Sequence, residues 1–377
     1  MNRLHPPHPL KIAQLVIIAT LLTLFAACSL SGTSTGGGTT ITSTTTTAGT
    51  TTPTSGTPTP SACTSACTTG TGLQSGTLFT EPAAGDSPVV QAIKGAQQSV
   101  EMEIYLLTEK TVINALEDDA NRGINVQVML EPHPYGSGPV TPQQTMAALS
   151  AAGVHTEPTN TQFALTHAKL LIIDGQAAYI STGNFTKTAL GGSSAYSADR
   201  DYMIVDTNTT DVQECNAIFT ADWARTTPQL ADPNLVVSPI NARSKLLALI
   251  GNAKQKLHLE EEEMQDPQFI QALTTAAQHG VNVQVVLPAS SSDDQGAQQL
   301  TQGGVHVARL QDSAGGNPYI HAKIIIADGT LAYVGSVNAS TQSMDQNREV
   351  GILVANASII QQLESTFGQD YTNGGGA

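Results

Sequence analysis

Charge is what this sequence has least of. Only 12% of its 377 residues are Asp, Glu, Lys or Arg, and the basic side is the poorer, with 16 Lys and Arg against 31 Asp and Glu. Two of those basic residues, Arg3 and Lys11, lie in the first 28 positions, which hold no acid, so the rest carries 14 basic against 31 acidic side chains. Affinity for nucleic acid rests mainly on basic side chains that neutralise phosphates and release counterions. No Lys/Arg cluster stands out, so the balance argues against a nucleic-acid partner while leaving a local basic groove open. Cysteine is scarce as well: Cys28, Cys63, Cys67 and Cys215. No His or further Cys flanks the Cys63/Cys67 pair, and no metal or other cofactor is expected. The apolar run from Ile12 to Ala27 has 16 residues, short of the roughly 20 that a spanning helix needs.

A low charged fraction is unusual in a cytoplasmic enzyme and ordinary in an exported one. The first residues agree with export. A short basic region precedes the apolar run, which ends in Leu24-Phe25-Ala26-Ala27-Cys28. That resembles a bacterial lipoprotein signal, in which Cys28 becomes the lipidated first residue, although Phe25 stands where Leu is usual. The alternative is an uncleaved anchor. Either reading puts the remainder outside the cytoplasm, attached to a membrane surface or secreted. Residues 1–28 are assigned to this segment. Residues 29–75 are Thr, Ser, Gly and Pro with almost nothing apolar, and such a stretch cannot offset its ordering entropy. They read as a tether. An exported chain permits disulfides. The three cysteines left after Cys28 are an odd number, so their pairing stays open.

From residue 76 a pattern starts, and it occurs twice. Val89-Val90-Gln91-Ala92-Ile93 and Leu246 to Ile250 each open a helix that runs into a strand. Arg122-Gly123-Ile124-Asn125-Val126-Gln127-Val128 is matched 157 residues later by His279-Gly280-Val281-Asn282-Val283-Gln284-Val285. The glycine closes a helix, and the Val/Ile alternation after it is a strand. Ala152-Gly153-Val154-His155 is matched by Gly303-Gly304-Val305-His306. Alternating helix and strand within each copy implies an α/β fold. We expect two similar α/β repeats, 76–230 and 231–371, packed with pseudo-twofold symmetry around an active site at their interface, in a monomer.

Each copy carries one chemical motif. The first is His167-Ala168-Lys169-Leu170-Leu171-Ile172-Ile173-Asp174, followed by Ser181-Thr182-Gly183-Asn184. The second is His321-Ala322-Lys323-Ile324-Ile325-Ile326-Ala327-Asp328, followed by Gly335-Ser336-Val337-Asn338. His to Asn is 17 residues in both. His-x-Lys on a strand puts both side chains on one face. An Asp-Gly turn then sends a second strand back, bringing the hydroxyl and the amide beside them. Two copies facing each other supply two imidazoles, two ammonium groups and two amides. That set suits a phosphodiester, because cations and amides hold the non-bridging oxygens and the imidazoles divide nucleophile and acid duties.

The duplicated His-Lys-Asp motif with its downstream Gly-Ser-x-Asn resembles the phospholipase D superfamily, over about residues 76 to 370. The second copy matches fully; in the first, Ser181 and Thr182 replace Gly and Ser. The resemblance implies a metal-independent phosphodiesterase with His167 as nucleophile, through a phosphohistidine, and His321 as acid and base. Lys169, Lys323, Asn184, Asn338, Thr182 and Ser336 would hold the phosphate. Asp174 and Asp328 would pin the turn. Asp201 and Glu349, in Arg200-Asp201-Tyr202 and Arg348-Glu349-Val350, would each orient a catalytic imidazole; the alternative is an ion pair with the adjacent Arg. Hydrolysis of a phospholipid to phosphatidic acid is the leading expectation. A nuclease of the same superfamily, a phosphatidyltransferase of the cardiolipin synthase kind and a catalytically dead binding module are the others.

Other features stand apart from the motif. His155 and His306 repeat but lack a Lys partner, and read as half-exposed strand residues. His133 and Tyr135 receive no role. Glu260 to Glu263 fall on Glu103, Ile104, Tyr105 and Leu106 of the first copy. Like charges in a central strand are costly, so we expect the strand to end early and leave the glutamates solvated. The alternative has Glu260 and Glu262 reading a cationic head group.

Overall fold

The computed structural model describes residues 71–135, 140–191 and 197–376. The signal-like segment with Cys28, most of the tether, and Cys63 and Cys67 lie outside these residues. The first repeat runs β1 (Gly76–Thr80), α1 (Ser87–Gly95), β2 (Ser99–Ile104), α2 (Lys110–Asn121), β3 (Asn125–Leu130), α3 (Pro142–Ala151), β4 (His155–Pro158), β5 (Lys169–Ile173), β6 (Ala177–Ser181), β7 (Asp199–Arg200), β8 (Tyr202–Asp206) and α4 (Thr209–Trp223). The second runs β9 (Leu235–Ser238), α5 (Ala242–Asn252), β10 (Lys256–Glu261), α6 (Pro267–Gln278), β11 (Asn282–Pro288), α7 (Asp294–Gln302), β12 (His306–Leu310), β13 (Tyr319–Ile320), β14 (Lys323–Ala327), β15 (Leu331–Gly335), α8 (Thr341–Asp345), β16 (Glu349–Val354) and α9 (Ala357–Asn373).

Each repeat builds a seven-stranded sheet, and the two have the same plan. One is ordered β1-β8-β6-β5-β2-β3-β4; the other, read from the corresponding edge, is β9-β16-β15-β14-β10-β11-β12. The strands β2, β3 and β4 are parallel, as helix crossovers require, while β5, β6 and β8 are antiparallel to their neighbours. Gly123 and Gly280, which follow the helices α2 and α6, have φ of 88° and 89°. Only glycine takes that left-handed geometry freely, so the same residue ends the same helix twice.

The four apolar residues after each motif Lys are buried on both faces. Leu170 and Ile172, with Ile324 and Ile326, face a core shared by the two sheets. Leu171 and Ile173 face the helices of the first repeat, and Ile325 and Ala327 those of the second. The period of two therefore sends alternate residues into two different cores. Cys215, on α4, is a buried free thiol in the shared core.

Three expectations need correction. The ordered chain begins before residue 76: Leu73 is buried and its N–H donates to Leu353 O at 2.8 Å. Leu73 and the hydrogen bonds of its neighbours dock this stretch. The motif histidines lie just ahead of the strands, because β5 and β14 start at the lysines. Finally, β10 does not stop early. It runs through Glu261, with Glu260 and Glu261 fully buried. Burial pushes Glu260 up to about 8 and Glu261 well above the ordinary carboxyl value. A protonated carboxyl removes the expected repulsion. Tyr202 Oη donates to Glu260 Oε2 at 2.8 Å, which uses that carboxyl inside the fold.

The Arg beside each presumed orienting acid pairs across the repeats. Arg348 bonds Asp222 of α4 at 2.7 Å, and Arg200 bonds Asp370 of α9 at 2.5 Å. Asp201 and Glu349 are thereby left free for other partners. His155 and His306 begin β4 and β12 as exposed residues.

Candidate active site

The segment before each motif histidine crosses to the other repeat. His167 N–H donates to Arg348 O at 2.8 Å, and Arg348 N–H to Leu165 O at 2.9 Å. In the second copy β13 pairs with β7, and His321 N–H donates to Arg200 O at 3.3 Å. This crossing sets each imidazole beside the acid that follows the other repeat's Arg. His167 Nδ1 lies 3.0 Å from Glu349 Oε2, and His321 Nδ1 lies 2.9 Å from Asp201 Oδ1. A carboxylate at Nδ1 makes that nitrogen the proton-bearing one and leaves Nε2 as the working atom. Glu349 is braced in turn by Ser343 Oγ at 2.5 Å and Asn347 Nδ2 at 3.1 Å.

His167, His321, Asn184 and Asn338 line one cleft of about 560 Å³ between the repeats. Lys169 and Lys323 lie fully buried behind the histidines. Lys169 Nζ donates to the carbonyl of His167 at 2.7 Å, and Lys323 Nζ donates to the carbonyl of His321. Asn184 Oδ1 and Asn338 Oδ1 are buried without a partner.

Two predicted phosphate ligands are elsewhere. Thr182 Oγ1 donates to Asp201 Oδ1 at 2.6 Å and accepts from Tyr202 N at 2.9 Å. Ser336 Oγ donates to Val350 O at 3.2 Å and accepts from Val350 N at 3.1 Å. Both side chains are fully buried; Thr182 braces Asp201 and the start of β8, and Ser336 braces β16, which carries Glu349. The altered first motif fits that role, since a Cβ on Gly183 would meet the Asp201 carboxyl carbon at 2.5 Å. Asp174 and Asp328 sit in left-handed turns at φ 53°. Each carboxylate accepts three consecutive backbone N–H groups at the start of β2 or β10: Gln97, Gln98 and Ser99, or Lys254, Gln255 and Lys256. Those bonds outweigh burial and hold both carboxyls below the usual range.

Two cleft residues carry no motif and were not singled out as a pair. Tyr105 packs edge-on to His167, with ring centroids 4.7 Å apart and Lys169 Nζ 5.4 Å from its ring centre. Glu262, at the corresponding place in the second repeat, puts Oε2 2.7 Å from Lys323 Nζ and 3.5 Å from His321 Nε2. The repeat alignment, which sets Glu262 on Tyr105, was the available signal.

Glu262 is one of the groups that divide the electrostatics of the two halves. Burial draws His167 below the ordinary imidazole value, and Glu349 opposes without cancelling it. Burial acts on His321 too, but Asp201 and Glu262 together hold it above that value. Burial and the Lys323 charge draw Lys169 down to about 7. Lys323 stays above the ordinary ammonium value, because Glu262 and Asp201 outweigh its burial. Burial would raise Glu262, but His321 and Lys323 hold it at about 2. The two imidazoles are thus pushed in opposite directions, His167 toward the neutral form a nucleophile needs and His321 toward the protonated form an acid needs.

The fold and the site define the class. The family model described as cardiolipin synthase, PLD-like domain matches residues 89–223 and 246–371, and the chain belongs to that family within the phospholipase D superfamily. It is 24% identical over 335 residues to cardiolipin synthase 1 of Staphylococcus epidermidis, which covers 78% of this chain and 67% of that protein. It is 23% identical over 329 residues to the cardiolipin synthase of Clostridium perfringens, covering 75% and 67%. The phosphatidylserine synthase of Haemophilus influenzae has the same fold, with TM-score 0.58 and 13% identity over 78% of this chain and 86% of its own. So does the polyphosphate kinase of Porphyromonas gingivalis, with TM-score 0.61 and 17% identity over 78% and 46%.

Proposed function

We propose that this chain transfers a phosphatidyl group from a phospholipid to an alcohol through a phosphohistidine. The observation that carries the reading is one cleft lined by two imidazoles, each held at Nδ1 by the other repeat's carboxylate. His167 Nε2 attacks phosphorus as the bond to the leaving alcohol breaks, and His321 Nε2 gives that alcohol its proton. His321, now neutral, then takes the proton of an acceptor alcohol, whose oxygen forms a new P–O bond as the P–N bond breaks. Complete histidine, lysine and asparagine pairs favour an active enzyme over a dead binding module.

Transfer replaces hydrolysis as the leading reading because the relatives matched along both repeats are cardiolipin synthases. Among the described residues no helix is long and apolar enough to cross a membrane. The match runs through the catalytic repeats all the same, so that feature does not separate the two reactions. The membrane-surface substrate agrees with the reading of Cys28 as a lipid attachment point outside the cytoplasm, which loss of labelled palmitate incorporation in Cys28→Ala would support.

The test is to incubate the full chain with phosphatidylglycerol vesicles in EDTA, with His167→Ala as control. Cardiolipin and free glycerol are expected from the wild type only. Phosphatidic acid alone would return the reading to hydrolysis. Inert lipid with cleavage of single-stranded DNA would favour the nuclease.

A further inference from the structure

One backbone position occurs twice around the cleft. Tyr105 N–H donates to Ala168 O at 3.2 Å and Glu262 N–H to Ala322 O at 3.1 Å, so each bonds the middle residue of its His-x-Lys. The first repeat puts a phenol ring there and the second a carboxylate, and both line the cleft. Glu262 lies 3.5 Å from His321 Nε2, the atom that must exchange a proton with the alcohol oxygen. Its neighbour Lys323 is already engaged at 2.7 Å, so this lysine enters the reaction as the partner of a carboxylate.

From this we infer that Glu262 is a specificity-determining residue, which selects the alcohol by accepting a hydrogen bond from a second hydroxyl next to the reacting one. The inference rests on the transfer reading and names the acceptor class for it, a vicinal diol. With one oxygen engaged by Lys323, a carboxylate keeps lone pairs for a further donor. A hydroxyl fits better than a cationic head group. Glu262 is already paired with the Lys323 ammonium when the acceptor arrives, and a second positive charge would meet that one before it met a free anion. A lone hydroxyl, as in a simple alcohol or water, would leave the carboxylate without the added bond. The step stays balanced: the acceptor O–H proton goes to His321 Nε2, the P–O bond forms, the P–N bond to His167 breaks, and the second hydroxyl keeps its proton.

The experiment offers the full chain phosphatidylglycerol vesicles with equal concentrations of deuterated glycerol, 1-propanol and choline, and counts the phosphatidyl products by mass. All three acceptors draw on one phosphohistidine, so the product ratio is independent of overall rate. Labelled phosphatidylglycerol should exceed phosphatidylpropanol by about tenfold or more, the worth of one hydrogen bond to a charged acceptor. Glu262→Tyr, which copies the first repeat, should bring the ratio near one, and Glu262→Gln should lower it several-fold. A wild-type ratio near one, a ratio unmoved in both variants, or phosphatidylcholine as the main product would each overturn the inference while leaving transfer intact. Phosphatidic acid alone would overturn the transfer reading, and this inference with it.

Discussion

In the first repeat the motif histidine meets an aromatic ring; in the second its counterpart meets a carboxylate. Everything else around them is close to a copy. The sheets have the same strand order, the turns the same left-handed Asp, and the Nδ1 atoms the same kind of partner at 3.0 Å and 2.9 Å. Against that shared background, Glu262 joins Asp201 in raising His321, while His167 has Glu349 and no second carboxylate to offset its burial. Such a break in symmetry assigns nucleophile and acid before the substrate arrives, where two identical histidines would have to share one proton between them.

The largest expected effect probes what the halves share. Glu349→Gln and Asp201→Asn each leave an imidazole without its carboxylate, and each should lower kcat by about 100- to 10,000-fold. The halves should then separate with a p-nitrophenyl phosphodiester, whose leaving group needs no proton. Asp201→Asn should recover much of its first-step rate, and Glu349→Gln should not.

The next comparison concerns stability. Arg348 and Asp222 are both fully buried, whereas the Arg200 side chain keeps 11% exposure. Arg348→Met should cost about 3–5 kcal/mol in urea unfolding, by stranding Asp222, and Arg200→Met less. Equal losses would mean that the two cross-repeat pairs carry the same load.

A third comparison uses pH. Lys169 has a folded value of about 7, below its ordinary 10.5. The unfolded chain binds the extra proton between those values, so the fold gains stability from this residue as pH rises from about 7 to 10.5. Anion binding should restore the charge. Tungstate binding at pH 8, followed by calorimetry in buffers of different ionisation enthalpy, should show uptake of close to one proton. Lys169→Met should abolish that uptake, and Lys323→Met should shrink it, because the Lys323 charge is part of what draws Lys169 down.

The smallest effect is a control for symmetry. Asp174→Asn and Asp328→Asn should each cost about 1 kcal/mol, by equal amounts within error, because each carboxylate accepts the same three backbone N–H groups near the surface.

The shared background was legible in the sequence; the break in it showed as Glu262 falling on Tyr105, but its effect on the two histidines did not. The repeat, the strand after each lysine and the Asp-Gly turns follow from local rules of period and φ, which adjacent residues reveal. Which acid serves which histidine is decided 182 and 120 residues away, by the segment that crosses between repeats. Thr182 and Ser336 misled because a hydroxyl at the right spacing can brace a backbone as readily as a phosphate. Glu260 and Glu261 misled because the reading kept them charged, whereas burial favours their protonated forms.

The central claim is that the phosphatidyl group lands on one histidine and not on either. Rapid quenching of the full chain with radiolabelled phosphatidylglycerol, followed by alkaline digestion and peptide mapping, tests it directly. The account predicts label on His167 alone, in the wild type and in slowed Asp201→Asn. Label on His321, or shared between the two, would contradict it.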